Sequence, residues 1–143
     1  GWHVGLGIQD ALDPKAYSEG RYSDADAIVT NPPYTTEQAS AGGVLEVVRD
    51  NFDGPVAALL RLSWSEACSD RVWAWHNDRP EWAFNIGRVD YHGPDSASDA
   101  SGATLASVWY VWNTPGEWNE EYTKYMCVDN ETIDRIKGQL SIL

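Results

Sequence analysis

The sequence predicts an α/β fold, a mostly parallel sheet with helices on both faces and an antiparallel pair at one edge. Two observations carry this. Strand-like and helix-like segments alternate as β–corner–α–β–α–β–loop–β, a pattern that buries a sheet between helices. One segment, Pro55-Val-Ala-Ala-Leu-Leu-Arg-Leu62, is a continuous apolar run bounded by turn signals. Such a run suits a central parallel strand covered on both faces. The 143 residues correspond to one domain. A chain of that size buries about two-thirds of its unfolded surface.

Taken in order, residues 2–8 read as a short strand weakened by two glycines. Residues 9–24 are polar and irregular, with Asp13-Pro14 as a helix-start or turn signal. Ala27–Thr30 is a short buried strand, and it runs into Asn31-Pro32-Pro33-Tyr34. The two prolines fix φ and remove two backbone donors, so neither strand nor helix continues through them. Thr35 or Thr36 caps a helix over 36–52, with Val44, Leu45, Val47 and Val48 on its apolar side. Gly42-Gly43 permit close packing on the sheet, and Asp53-Gly54 ends the helix. After the central strand, Ser63–Asn77 reads as a helix, because Trp64, Ala67, Cys68, Val72 and Trp75 recur at helical spacing. Glu81–Tyr91 is the third main strand. Residues 92–104 are a mobile Gly/Ser/Asp loop, and Leu105–Trp112 is a strand with Val108, Tyr110 and Trp112 on one face. Residues 117–129 are acidic and carry no clear pattern. Asn130–Leu140 closes the chain as a short amphipathic helix on Ile133, Ile136 and Leu140.

Composition narrows the function classes. Eight Trp and seven Tyr against two Phe give a rich core with some half-exposed aromatic surface. The net charge of −12 argues against a free-standing nucleic-acid binder. Arg49, Arg61, Arg71, Arg79 and Arg88 lie in the middle of the chain and leave room for a local basic face on an otherwise solvated acidic surface. Cys68 and Cys127 form no metal or redox motif and read as reduced thiols of a cytoplasmic protein. No apolar run reaches the ~20 residues of a membrane helix. His3, His76 and His92 are scattered, and none is a candidate ligand or base. Arg61 is a strand-end cation, suited to a salt bridge or to a phosphate contact.

The stretch Asp26-Ala-Ile-Val-Thr-Asn-Pro-Pro-Tyr34 carries the strongest signal. It resembles the catalytic motif of S-adenosylmethionine-dependent DNA adenine-N6 methyltransferases. The resemblance covers about residues 20–115 and is similar to the second half of phage-type members. It rests also on Gly54–Leu62, the Trp-rich helix, the loop and Ser107-Val-Trp-Tyr-Val-Trp112. It implies a Rossmann-like methyltransferase sheet and four catalytic residues, Asn31, Pro32, Pro33 and Tyr34. An exocyclic aromatic amine is a poor nucleophile because its lone pair is delocalised into the ring. Two acceptors aimed at its N–H bonds favour a more tetrahedral nitrogen. By resemblance these are the Asn31 side-chain oxygen and the Pro32 carbonyl. Tyr34 stacks on the flipped base, and Pro33 stiffens the corner. Tyr34 and Arg61 are then the substrate contacts, with DNA as the partner. No metal is required.

The same tetrapeptide serves methyltransferases that act on an RNA guanine or on a protein glutamine amide, which share the planar-nitrogen problem. A non-catalytic binding or structural domain derived from such an enzyme is the reading from another class. The family also places a Gly-rich cofactor loop and a ribose-binding acid well upstream of the corner. Only 30 residues precede Asn31, and a single βαβ unit needs about 30. Gly5-Leu6-Gly7 reads better as two glycines in a short strand than as that loop. The S-adenosylmethionine-binding strand and helix are thus expected to be largely absent. A fragment of a longer enzyme, a chain completed by another chain or copy, and a decayed domain all fit this. Without its family neighbour, strand Ala27–Thr30 has an open edge. That edge is expected to be covered by residues 2–8 or by a second copy in a homo-oligomer.

Overall fold

The computed structural model describes residues 11–20, 22–32, 41–66, 75–90, 104–115, 122–129, 131–132 and 135. Its centre is a sheet of five strands: β1 (Ile28–Thr30), β2 (Val56–Arg61), β3 (Trp82–Asp90), β4 (Thr104–Trp112) and β5 (Lys124–Cys127). Their order is β1-β2-β4-β3-β5. β1 pairs parallel with β2, and β3 pairs parallel with β5. β4 runs antiparallel to both of its neighbours. Four strands therefore point one way and one points back.

This corrects the expected position of the antiparallel pair. It lies inside the sheet, not at its edge, because β4 inserts between β2 and β3. The sequence of β4 explains the placement. Val108, Tyr110 and Trp112 are fully buried on one face, and Trp109 and Val111 are half-buried on the other. A strand that buries both faces belongs in the interior of a sheet. The edge position goes to β5, whose four side chains are all exposed. β5 is held by its backbone: Lys124 N–H donates to Glu81 O and Val128 N–H to Asn85 O, each at 2.8 Å.

Two helices pack beside the sheet. Helix α1 (Pro14–Ser18) begins at the Asp13-Pro14 signal. The Asp13 carboxylate accepts from Lys15 N–H at 3.0 Å, satisfying one orphan donor of the first turn. Helix α2 (Ala41–Asn51) buries Ala41, Gly42, Val44, Leu45 and Val48. These residues, with Tyr17 of α1, join Val56, Ala58 and Leu60 of β2 and Val108, Tyr110 and Trp112 of β4 in one core. Fully burying a side chain such as Leu45 or Leu60 stabilises the fold by about 1.5–3 kcal/mol.

Among the described residues, both helices share one face of the sheet. The expected cover on both faces of β2 is met on the Val56, Ala58, Leu60 side, which is fully buried. Ala57 and Leu59 on the other side are half-buried. That second face is aromatic: Trp82 and Phe84 stack at 5.5 Å, and Lys124 Nζ sits 4.7 Å above the Trp82 ring.

The helix expected over 63–77 has a different start. β2 leads into a 3-10 turn, Leu62–Ser65, which ends at an extended Glu66. Ser65 Oγ donates to Leu62 O at 2.9 Å and closes this turn on itself. Trp75 and His76 are helical. Trp64 and Trp75 meet each other at 5.5 Å and meet Tyr110 at 5.0 and 5.8 Å, extending the core as an aromatic cluster. The strand expected at 2–8 and the loop at 92–104 lie outside the described residues, apart from Thr104, which opens β4.

The end of the sheet where β2 begins is tied by polar bonds. Arg49 of α2 holds Asp78 through two bonds, Nε to Oδ2 at 2.6 Å and Nη2 to Oδ1 at 2.8 Å. Its Nη2 also reaches Asn113 Oδ1 at 3.2 Å, and its guanidinium lies 5.9 Å from the Trp112 ring centre. Trp112 Nε1 donates to Asp78 O at 2.8 Å. Asn113, at φ 51°, sends its amide to Asp53 O at 2.9 Å. Asn tolerates this left-handed backbone better than most residues. Glu81 accepts from the backbone and hydroxyl of Thr114. The ends of α2, β3 and β4 are thereby fixed to one another.

Candidate functional site

The corner begins where β1 stops. Ile28 N–H donates to Pro55 O at 2.9 Å, and the register runs Ile28 to Val56, Val29 to Ala57 and Thr30 to Ala58. β1 ends at Thr30 because no N–H is available at Pro32 or Pro33 to continue a ladder. Asn31 is exposed and Pro32 is buried. A side-chain amide thus stands in solvent next to a proline locked into the protein. Pro33 and Tyr34 lie outside the described residues.

This corner is at the carboxyl end of two adjacent parallel strands, the end at which open α/β sheets bind ligands. Arg61 lies at the same end. It is the last residue of β2, is exposed, and pairs in register with Ser107 of β4. Across β4, Gly87 of β3 also pairs with Ser107, and exposed Arg88 pairs with Ala106. Two exposed arginines therefore flank β4 from neighbouring strands. Of the other described arginines, Arg135 lies near Asp129, and Arg49 and Arg79 are held at the opposite end of the sheet. Arg49 is committed to Asp78, and Arg79 donates to Trp75 O at 3.2 and 3.3 Å. Of the five arginines in the middle of the chain, Arg61 and Arg88 thus lie at one end of the sheet and Arg49 and Arg79 at the other, and Arg71 lies outside the described residues. Arg88 was one of five in that sequence cluster; only the β3–β4 register distinguishes it.

A pocket of about 170 Å³ opens at the opposite end, lined by His76, Asn77, Asp78, Arg79, Glu81, Trp112 and Asn113. Its walls come from segments remote in sequence, so no local motif announces it. Its acidic groups are already engaged, Asp78 by Arg49 and Glu81 by Thr114. It faces away from Asn31 and does not suit a methyl donor that must meet a nucleophile at the corner. No group of three or more His, Cys, Asp or Glu suited to a metal occurs among the described residues. Cys127 is an exposed free thiol on β5.

Asn31 and Pro32 are the described residues of the corner, and the segment after them, 33–40, lies outside the description. So does Gly5-Leu6-Gly7. What the corner offers is an acceptor for an N–H group: an amide oxygen on a strand end whose backbone is restricted by proline. Among the described residues no helix is long and apolar enough to cross a membrane.

In comparisons with known proteins, no family model, no curated protein and no solved structure matches this chain.

Proposed function

We propose that this domain is the acceptor half of a methyltransferase, acting on the exocyclic amine of adenine in DNA with S-adenosylmethionine as donor. The observation that carries the reading is the pairing of exposed Asn31 with buried Pro32 at the carboxyl end of β1.

In this reading the Asn31 side-chain oxygen accepts one amine N–H and the Pro32 carbonyl accepts the other. Withdrawing both protons toward fixed acceptors concentrates the nitrogen lone pair out of the ring plane. Holding those acceptors rigid is where the rate gain arises, since positioned groups cost no reorganisation during reaction. Tyr34 supplies the stacking surface for a flipped base. When bound, the donor supplies an electrophilic methyl group. Arg61, exposed at the end of β2 nearest the corner, supports a polyanionic substrate by placing a positive charge there in a chain whose net charge is −12.

The test is transfer of a tritiated methyl group to separate pools of DNA, RNA and protein. Label in DNA, recovered as N6-methyladenine, supports the reading. Label only in RNA guanine or in protein glutamine keeps the corner's chemistry but replaces the substrate. Absence of label in all three pools, with no thermal shift at millimolar S-adenosylmethionine, refutes catalysis by this chain.

A further inference from the structure

Among the described residues, Glu81 is a buried carboxylate that no cation pairs. It is 8% exposed and stands just before the first residue of β3. Its backbone is clamped on both sides: the N–H donates to Val111 O at 2.9 Å, and the carbonyl accepts from Lys124 N–H at 2.8 Å. The side chain is therefore anchored at its root. Thr114 donates its N–H and its hydroxyl to the same oxygen, Oε2. Among the described residues no bond reaches Oε1, and no lysine or arginine pairs with the carboxylate. A carboxylate this buried is ordinarily paired, because its charge loses hydration and needs a counter-charge in return.

Oε1 is nevertheless not sealed in the core. The buried side-chain polar atoms without a partner among the described residues are Arg49 Nη1, Trp64 Nε1 and Trp75 Nε1, and Oε1 is not one of them. The opening available to it is the pocket that Glu81 lines with Asp78 and Trp112. The charges around this pocket do not cancel inside it. Asp78 is neutralised by Arg49. Arg79 is exposed and donates to Trp75 O, so solvent screens its charge. Glu81 thus leaves an uncompensated negative charge at an aromatic wall.

We propose that this pocket binds a free, small alkylammonium ion, with its N–H donating to Glu81 Oε1 and its carbon stem along Trp112. A desolvated ammonium gains from the carboxylate by a charge-assisted hydrogen bond and from an indole ring by its quadrupole. Size agrees. The volume is about 170 Å³, and a cavity of about 150 Å³ holds benzene, so an ion of about six non-hydrogen atoms fits. A metal ion is the poorer match, since no group of three or more His, Cys, Asp or Glu suited to one occurs among the described residues. This site is separate from the Asn31 corner and does not depend on methyl transfer.

The test is a titration of the full chain with propylammonium chloride, followed by the Thr114 amide and the Trp112 indole N–H resonances. Sodium chloride at equal concentration is the blank, and propanol and sodium propionate are the neutral and anionic controls. Propylammonium is expected to shift both resonances saturably at millimolar concentration, the range open to so small a ligand. Propanol and propionate are expected to leave them at the blank. Glu81→Gln keeps an acceptor for Thr114 and is expected to weaken propylammonium at least about tenfold. Saturable shifts by propionate, equal shifts by propanol, or no saturation by propylammonium overturn the proposal. So does unchanged affinity in a folded Glu81→Gln. Where that variant does not fold, the wild-type preference for propylammonium over propanol decides.

Discussion

The amide of Ile28 donates to the carbonyl of Pro55 at 2.9 Å, and that bond sets β1 parallel to β2 from its first residue. Everything proposed for the corner depends on it. With this direction, Asn31 emerges at the carboxyl end of the sheet beside the end that carries Arg61. In the reverse direction the same tetrapeptide would face the polar tie around Arg49 and Asp78.

That tie makes a first prediction. Asp78→Ala leaves the Arg49 guanidinium, 8% exposed, without its carboxylate. Removing one partner of a buried pair costs about 3 kcal/mol or more. Urea unfolding should show that loss. A change below about 1 kcal/mol would mean that solvent compensates Arg49, as it does at exposed pairs.

The core makes a second. Leu45 of α2 and Leu60 of β2 are fully buried in the same cluster. Leu60→Ala should destabilise by about 2–5 kcal/mol. Its denaturant midpoint should fall with the slope unchanged.

Gly87 gives a backbone prediction. It sits at φ 75° beside the register shift between Asn85 and Gly87, and its N–H is held by Asn85 Oδ1 at 2.8 Å. A Cβ there meets nothing within 4 Å. Gly87→Ala should therefore cost about 1 kcal/mol from the left-handed backbone alone. A loss several times larger would mean that the irregularity between β3 and β4 has collapsed.

Asp129 gives a pH prediction. Hydrogen bonds from the Thr132 side chain and then its backbone hold the Asp129 carboxyl below its ordinary value. The backbone bond is 2.8 Å, the geometry of a helix cap. A depressed carboxyl stabilises its helix above the unfolded pKa and loses that contribution as pH falls through the folded one. Thr132 amide shifts should follow Asp129 in a titration below pH 4, and Asp129→Asn should abolish that titration.

How much was legible in the sequence depended on where each segment lies. Val108, Tyr110 and Trp112 alternate cleanly, and β4 was readable from them. The apolar run at Val56–Leu60 was equally plain. β5 was not, because Lys124, Tyr125, Met126 and Cys127 are all exposed and are paired through backbone atoms. No side-chain period marks such an edge. The break after Ser65 was hidden for another reason. The Trp64 and Trp75 spacing fits one helix, yet Trp64 reaches the cluster from a 3-10 turn. The end of β1 before Pro32 was legible because proline chemistry is local. That Arg88 comes to the same end of the sheet as Arg61, on the opposite face, needed the strand register.

Asn31→Ala tests the central claim most directly. It removes the exposed amide and leaves Pro32 in place. The measurement is tritiated-methyl transfer from S-adenosylmethionine to DNA, with the variant's unfolding midpoint as control. The account predicts transfer by the wild-type chain, at least about a 100-fold loss in the variant and an unchanged midpoint. Equal transfer by both proteins, or none by a folded wild-type chain, would contradict it.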